Sequence, residues 1–118
     1  MIIKKEDLTI LEAFGLHGGT GKAILNKVVP TDDLDYPFGL TGLIEVEAHA
    51  VIGTHYHIDN YELCLVVEGS FQVIENQEEQ IIQKGDMLIT GKGQRHSFKN
   101  LQGTVGILFI VNTKDLCH

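Results

Sequence analysis

Apolar residues come in short runs along the chain. They read Ala23–Val29, Leu43–Val46, Ala50–Ile52, Leu63–Val67, Phe71–Ile74, Gln80–Ile82, Met87–Ile89 and Val105–Val111, and are rich in Val, Ile, Leu and Phe. Turn-forming groups separate them: Glu68-Gly69-Ser70, Glu75-Asn76-Gln77-Glu78, Lys84-Gly85-Asp86, Gly91-Lys92-Gly93 and Gln102-Gly103. Runs of this length at a spacing of about 8–12 residues predict the strands of an all-β sandwich or barrel. No window keeps a 3.6-residue apolar period over the roughly 11 residues that mark a helix. Glu6–Phe14 is too short to choose between one helical turn and an extra strand.

Two stretches stand outside this pattern. Pro30–Pro37 is acidic, contains both prolines and reads as a surface loop. Gly15–Lys22 is glycine-rich and ends in Gly21-Lys22, which invites comparison with a phosphate-binding loop. That pattern needs glycine where Leu16 stands, and Ser or Thr where Ala23 stands. A turn-forming loop is the expectation, glycine supplying positive φ.

Composition narrows the picture. The 118 residues are expected to form one domain, 1–118, with 43% hydrophobic and 21% charged residues, as in a globular protein. The longest apolar run, Val105–Val111, is far short of the roughly 20 residues that span a bilayer. The N-terminus has no apolar signal-like core, so a cytoplasmic protein with no membrane partner is expected. Nine basic against 16 acidic residues give a net charge of −7, and Arg95 is the only arginine. No basic stripe is available for phosphates, which argues against nucleic acid as a partner. Cys64 lies within an apolar run and reads as a small core residue rather than a catalytic thiol; Cys117 belongs to a terminal tail.

The candidate chemistry lies in the histidines. His55-Tyr56-His57 puts two imidazoles on one face of a strand, about 6–7 Å apart at Cα. A single metal ion can take both. Glu62 follows and opens the next apolar run, where an unpaired carboxylate is costly and a cation removes the cost. His96 comes from a third element, after Gly91-Lys92-Gly93. Three imidazoles and one carboxylate suit one divalent transition metal (Mn, Fe, Co, Ni or Zn) and leave positions open for water or substrate. A solvated strand face is the alternative for an isolated His-x-His pair.

The wider spacing resembles the two motifs of the cupin superfamily, G(x)5HxH(x)3-4E(x)6G and G(x)5PxG(x)2H(x)3N. The first falls on about 49–69, with His55, His57, Glu62 and Gly69; the second falls on about 85–100, with Gly85, Gly93, His96 and Asn100. The 15 residues Ser70–Lys84 separate them. Two positions depart from the family: its leading glycine falls on His49 and its proline on Gly91. The resemblance implies a jelly-roll barrel (double-stranded β-helix) of two antiparallel sheets, with His55, His57, Glu62 and His96 as metal ligands inside the barrel mouth. It also implies that such domains pair through N-terminal and edge strands, and a homodimer is expected.

Strand parity sorts the neighbours. Tyr56 and Arg95 are expected to face away from the cavity, and Gln94 and Phe98 to line it. His49 is expected on an exposed turn and His118 in a frayed tail; His17 could fold from the glycine loop over the mouth, with a solvated loop histidine as the expected reading. Glu45, Glu47, Tyr61 and Lys27 are open candidates for acid–base work. The functional expectation is a metalloenzyme acting on a small polar metabolite, by dioxygenase, decarboxylase, isomerase or lyase chemistry. The alternative is a module that binds a metal or small molecule as a sensor or stabiliser.

Overall fold

The computed structural model describes residues 1–28 and 36–114. Cys117, His118 and most of the Pro30–Pro37 stretch lie outside the described residues. Among the described residues ten strands follow one another: β1 Thr9–Phe14, β2 Lys22–Lys27, β3 Phe38–Val46, β4 Val51–His57, β5 Glu62–Glu68, β6 Ser70–Glu75, β7 Glu78–Gln83, β8 Met87–Thr90, β9 Gln94–Asn100 and β10 Gly106–Thr113. They form two sheets with all neighbours antiparallel, β1-β2-β3-β10-β5-β8 and β4-β9-β6-β7. This is the all-β jelly-roll architecture expected from the sequence. Among the described residues no helix is long and apolar enough to cross a membrane.

The period of two explains both sheets. Along β10 buried and half-buried residues alternate from Gly106 to Thr113, and the inward set Leu108 and Ile110 meets Phe71, Val73 and Phe98 of the other sheet in one core. Cys64 is part of that core at 1% exposure, as expected, and burial pushes its thiol up to about 12, with the Glu62 charge adding to the shift. The β6–β7 hairpin closes through Asn76 and Gln77, both at positive φ, the backbone of a tight two-residue turn.

Glu6–Phe14 contains both structures between which its length left the choice open: a 3₁₀ turn, Lys5–Asp7, and then β1. β9 carries no continuous apolar run. It is nevertheless central in its sheet, because His96, Phe98 and Asn100 alternate inward between exposed or half-buried neighbours.

The positions that depart from the family motifs have local reasons. His49 sits on the turn before β4 with φ +59, the left-handed conformation a glycine would adopt there. It is exposed, as expected. The N–H of Gly91 donates to Gln94 Oε1 at 2.6 Å, a bond a proline has no proton to make. Asn100 is fully buried and ties the neighbouring turns together. Its Nδ2 donates to the carbonyls of Val46, Glu47 and Thr104, and its Oδ1 accepts from the N–H of Gln102.

Candidate metal centre

β4 and β9 bring three histidines to one end of the sandwich. His55 lies directly opposite His96 in the β4–β9 ladder. Between Ile52 and His55 the register shifts: three steps along β4 match two along β9. This bulge at Gly53-Thr54 puts His55 and His57 on the inner face together with Ile52, which strict alternation would not do. Glu62 starts β5 in the other sheet and closes the group from across the sandwich.

One potential ligand atom from each of His55, His57, Glu62 and His96 lies within 4.8 Å of all the others, so the group could hold a metal ion. His96 Nε2 is 2.8 Å from His55 Nε2 and 3.1 Å from His57 Nε2. Glu62 places Oε1 3.1 Å from His96 Nε2 and Oε2 3.6 Å from His57 Nε2. His57, Glu62 and His96 are buried and His55 is half-buried.

The opposite nitrogen of every ring has its own oxygen partner. His55 Nδ1 is 2.9 Å from the Gly53 carbonyl, His57 Nδ1 3.1 Å from Asn60 Oδ1, and His96 Nδ1 2.8 Å from the hydroxyl of buried Thr90. Carbonyl oxygens only accept, so they fix the protons of His55 and His57 on Nδ1 and leave the Nε2 lone pairs converging. The two fixed lone pairs and the Glu62 carboxylate at these separations repel one another, and a cation between them reverses the sign; His96, whose Thr90 hydroxyl partner can donate or accept, either adds a third lone pair or bridges the group with its Nε2 proton. The donor set therefore fits a divalent transition metal.

Electrostatics agree with a neutral His55 beside an ionised Glu62. Burial lowers His55 to about 4, the hydrogen bond to the Gly53 carbonyl working against it. For Glu62, burial pushes the carboxyl up. The hydrogen bond with His96 and the charges of the three histidines outweigh it and hold the group below its ordinary value.

The group opens into a cavity of about 390 Å³ whose walls come from both sheets, including Leu25, Ile44, Ile52, Phe98, Leu108, Ile110 and Asn112. Phe98 lines it as expected, and its ring meets His96 edge-on at 4.7 Å. Arg95 lies outside the lining, as expected, whereas Tyr56 is exposed and still contributes to the cavity wall; the Arg95 guanidinium donates to Tyr56 Oη at 3.0 Å. Glu45, Glu47, Tyr61 and Lys27 are absent from the lining.

One expectation requires correction. Gln94 shares the parity of His96 but lines a separate cavity with Val73 and Leu88, because its side chain turns back to accept the Gly91 N–H. His17 is an exposed loop histidine that also folds over the mouth: it lines the cavity and stacks on His55, ring centroids 4.2 Å apart. The glycine loop brings it there. Thr20 and Val51 exchange two backbone hydrogen bonds, and the backbone of His17 lies so close to Gly53 that a Cβ would stand 2.1 Å from the His17 carbonyl. Burial lowers the His17 pKa, with the charge of Glu62 working against it.

Sequence reasoning also missed Asn60, Thr90 and Asn112. None of the three carried a sequence signal: Asn112 follows a continuous apolar run whose inward parity appears only in the burial of β10, and only the fold brings Asn60 and Thr90 to the imidazoles.

Comparison with known proteins agrees with this geometry. The cupin domain model matches residues 42–111, more than half of the chain, and the protein belongs to the cupin family. An oxalate-binding protein of Thermotoga maritima is 20% identical over 104 residues, covering 88% of this chain and 86% of that protein. Among solved structures, a predicted oxalate decarboxylase from Thermotoga maritima superimposes with a TM-score of 0.88 at 19% identity, covering 96% of this chain and 98% of that one. A cupin-superfamily sugar phosphate isomerase from Silicibacter pomeroyi gives 0.77 at 18% identity, covering 97% and 76%. Identities this low speak for the fold alone.

Proposed function

We propose that His55, His57, Glu62 and His96 bind one divalent transition metal and that the protein is a metalloenzyme acting on a small organic metabolite. The observation that carries this is the pairing of every Nδ1 with an oxygen while the Nε2 atoms converge on Glu62. Such outer partners hold ligand rings in one tautomer and one orientation. A bound metal with open positions supplies Lewis-acid polarisation of a substrate oxygen and acidification of bound water. The chain's own residues orient the rings, exclude water through the apolar walls and cover the group from the His17 side. The reaction lies within decarboxylase, dioxygenase, isomerase or lyase chemistry; the names of the Thermotoga and Silicibacter relatives support the first and third.

A second reading, a module that holds a metal and a small molecule without turnover, is favoured by one observation. Apart from the four proposed ligands, the only titratable side chains lining the cavity among the described residues are His17 and Tyr56. The name of the oxalate-binding relative accords with it. Elemental analysis of purified protein tests the metal. Decarboxylation and oxygen uptake on a panel of small acids separate the two readings.

The proposal includes a homodimer. The outer face of the larger sheet carries Leu43, Phe109, Leu65 and Met87 in one row across four strands, with Val111, Leu63 and Ile89 in the next. A continuous apolar face of this kind suits an isologous contact with a second copy.

A further inference from the structure

Asn112 is buried at 6% exposure, and its Oδ1 has no hydrogen-bond partner among the described residues. It stands directly across the β5–β10 ladder from Glu62, and both side chains line the cavity. Opposite residues in such a ladder hold their Cβ atoms about 4.5–5.5 Å apart. The amide therefore flanks the carboxylate of the metal-holding group. A buried acceptor without a partner is costly, and a ligand that brings a proton removes the cost.

The rest of the cavity restricts that ligand. Its body is apolar, built by Leu25, Leu40, Ile44, Ile52, Phe98 and Ile110. Its volume of about 390 Å³ is in the range that takes small organic ligands. Among the described residues no lysine or arginine lines it. A second carboxylate or a phosphate would be desolvated without a cationic partner. A divalent ion with ionised Glu62 leaves one positive charge, which a single carboxylate neutralises. A protonated amine beside that ion would be repelled, so the donor to Asn112 is a neutral group, of which a hydroxyl is the smallest on an organic acid.

Resting on the metal reading above, we infer that the site takes a monoanionic 2-hydroxy acid with an apolar substituent. Carboxylate and hydroxyl oxygens face the metal-holding group, the hydroxyl donates to Asn112 Oδ1, and the substituent lies against the Leu, Ile and Phe walls. Oxalate fits this description poorly. It has two carboxylates, no proton to donate at neutral pH and no apolar part.

The test is calorimetric titration of protein reconstituted with Mn²⁺ or Zn²⁺, with metal content measured first. The probes are mandelate, its O-methyl ether, phenylacetate and oxalate. Mandelate binds at least about tenfold more tightly than oxalate, and its methyl ether, which cannot donate, loses about tenfold. Asn112→Leu lowers mandelate affinity by about tenfold and leaves phenylacetate unchanged. The comparison of mandelate with its ether uses wild-type protein alone, so it decides even if the variant does not fold. Oxalate equal to mandelate, or the ether equal to its parent, overturns the inference while metal uptake leaves the metal reading standing. Failure to take up metal overturns both.

Discussion

The imidazole of His17 lies 4.2 Å above that of His55, the two planes 19° apart. His17 reaches this position with φ +53, a left-handed backbone that non-glycine residues rarely adopt. The surrounding structure holds it there: Gly15 also takes positive φ, and Gly53 offers no Cβ to the His17 carbonyl. Strained backbone of this kind concentrates at functional sites.

Removing the stack and removing the space for it have different consequences. His17→Ala loses a ring contact worth about 0.5–1.5 kcal/mol and leaves metal content unchanged, because the other rings keep their oxygen partners. Gly53→Ala forces backbone apart and costs about 1–3 kcal/mol. Chemical denaturation of both variants gives the comparison; equal stability losses would contradict the close approach of the loop to β4.

Metal binding separates His57 from His49. His57→Ala deletes one of four converging donors and sharply lowers metal content in elemental analysis. The fold survives, since the core is built from residues such as Phe71, Val73, Leu108 and Ile110, and a single substitution usually costs about 0.5–3 kcal/mol. His49→Ala, on its exposed turn, leaves metal content unchanged. Full metal content in His57→Ala would refute the proposed ligand set.

Acid destabilises the metal-free protein. His55 is lowered to about 4 from an ordinary 6.5, and His17 is lowered as well. The unfolded chain takes up these protons below about pH 6.5 while the folded protein resists them, so stability present above 6.5 is lost as the pH falls toward 4. Glu62, held below its ordinary 4.5, extends the loss in the same direction at lower pH. Thermal melting should give a Tm that is flat between about pH 7 and 8 and falls from about 6.5 downward; a Tm that rises as the pH falls from 6.5 toward 4 would contradict the lowered His55 and His17.

Assembly is read by mass. Light scattering at micromolar concentration should give twice the 13.1 kDa of the chain. Leu63→Lys and Ile89→Lys, which place charge on the outer row of β5 and β8, should return it to the single-chain value. A dimer that survives both substitutions would move the contact to another surface.

The short apolar runs along the chain by themselves determined the all-β class and the order of most strands. Turn residues marked the hairpins, and the spacing of His55, His57, Glu62 and His96 was sufficient to select the four residues that the fold gathers. These features are local, or repeat with the period of a strand, so they survive in one dimension. β9 escaped the apolar runs because its inward residues include His96 and Asn100, which satisfy their polar atoms only through Thr90 and the neighbouring turns. The places of His17, Gln94 and Asn112 were decided by tertiary structure alone. His17 depends on a glycine 36 positions away that leaves room for its carbonyl, and Gln94 on one backbone N–H that turns its side chain. Asn112 gains its neighbour Glu62 from the β5–β10 ladder, a pairing between residues 50 positions apart that no periodicity within either strand encodes.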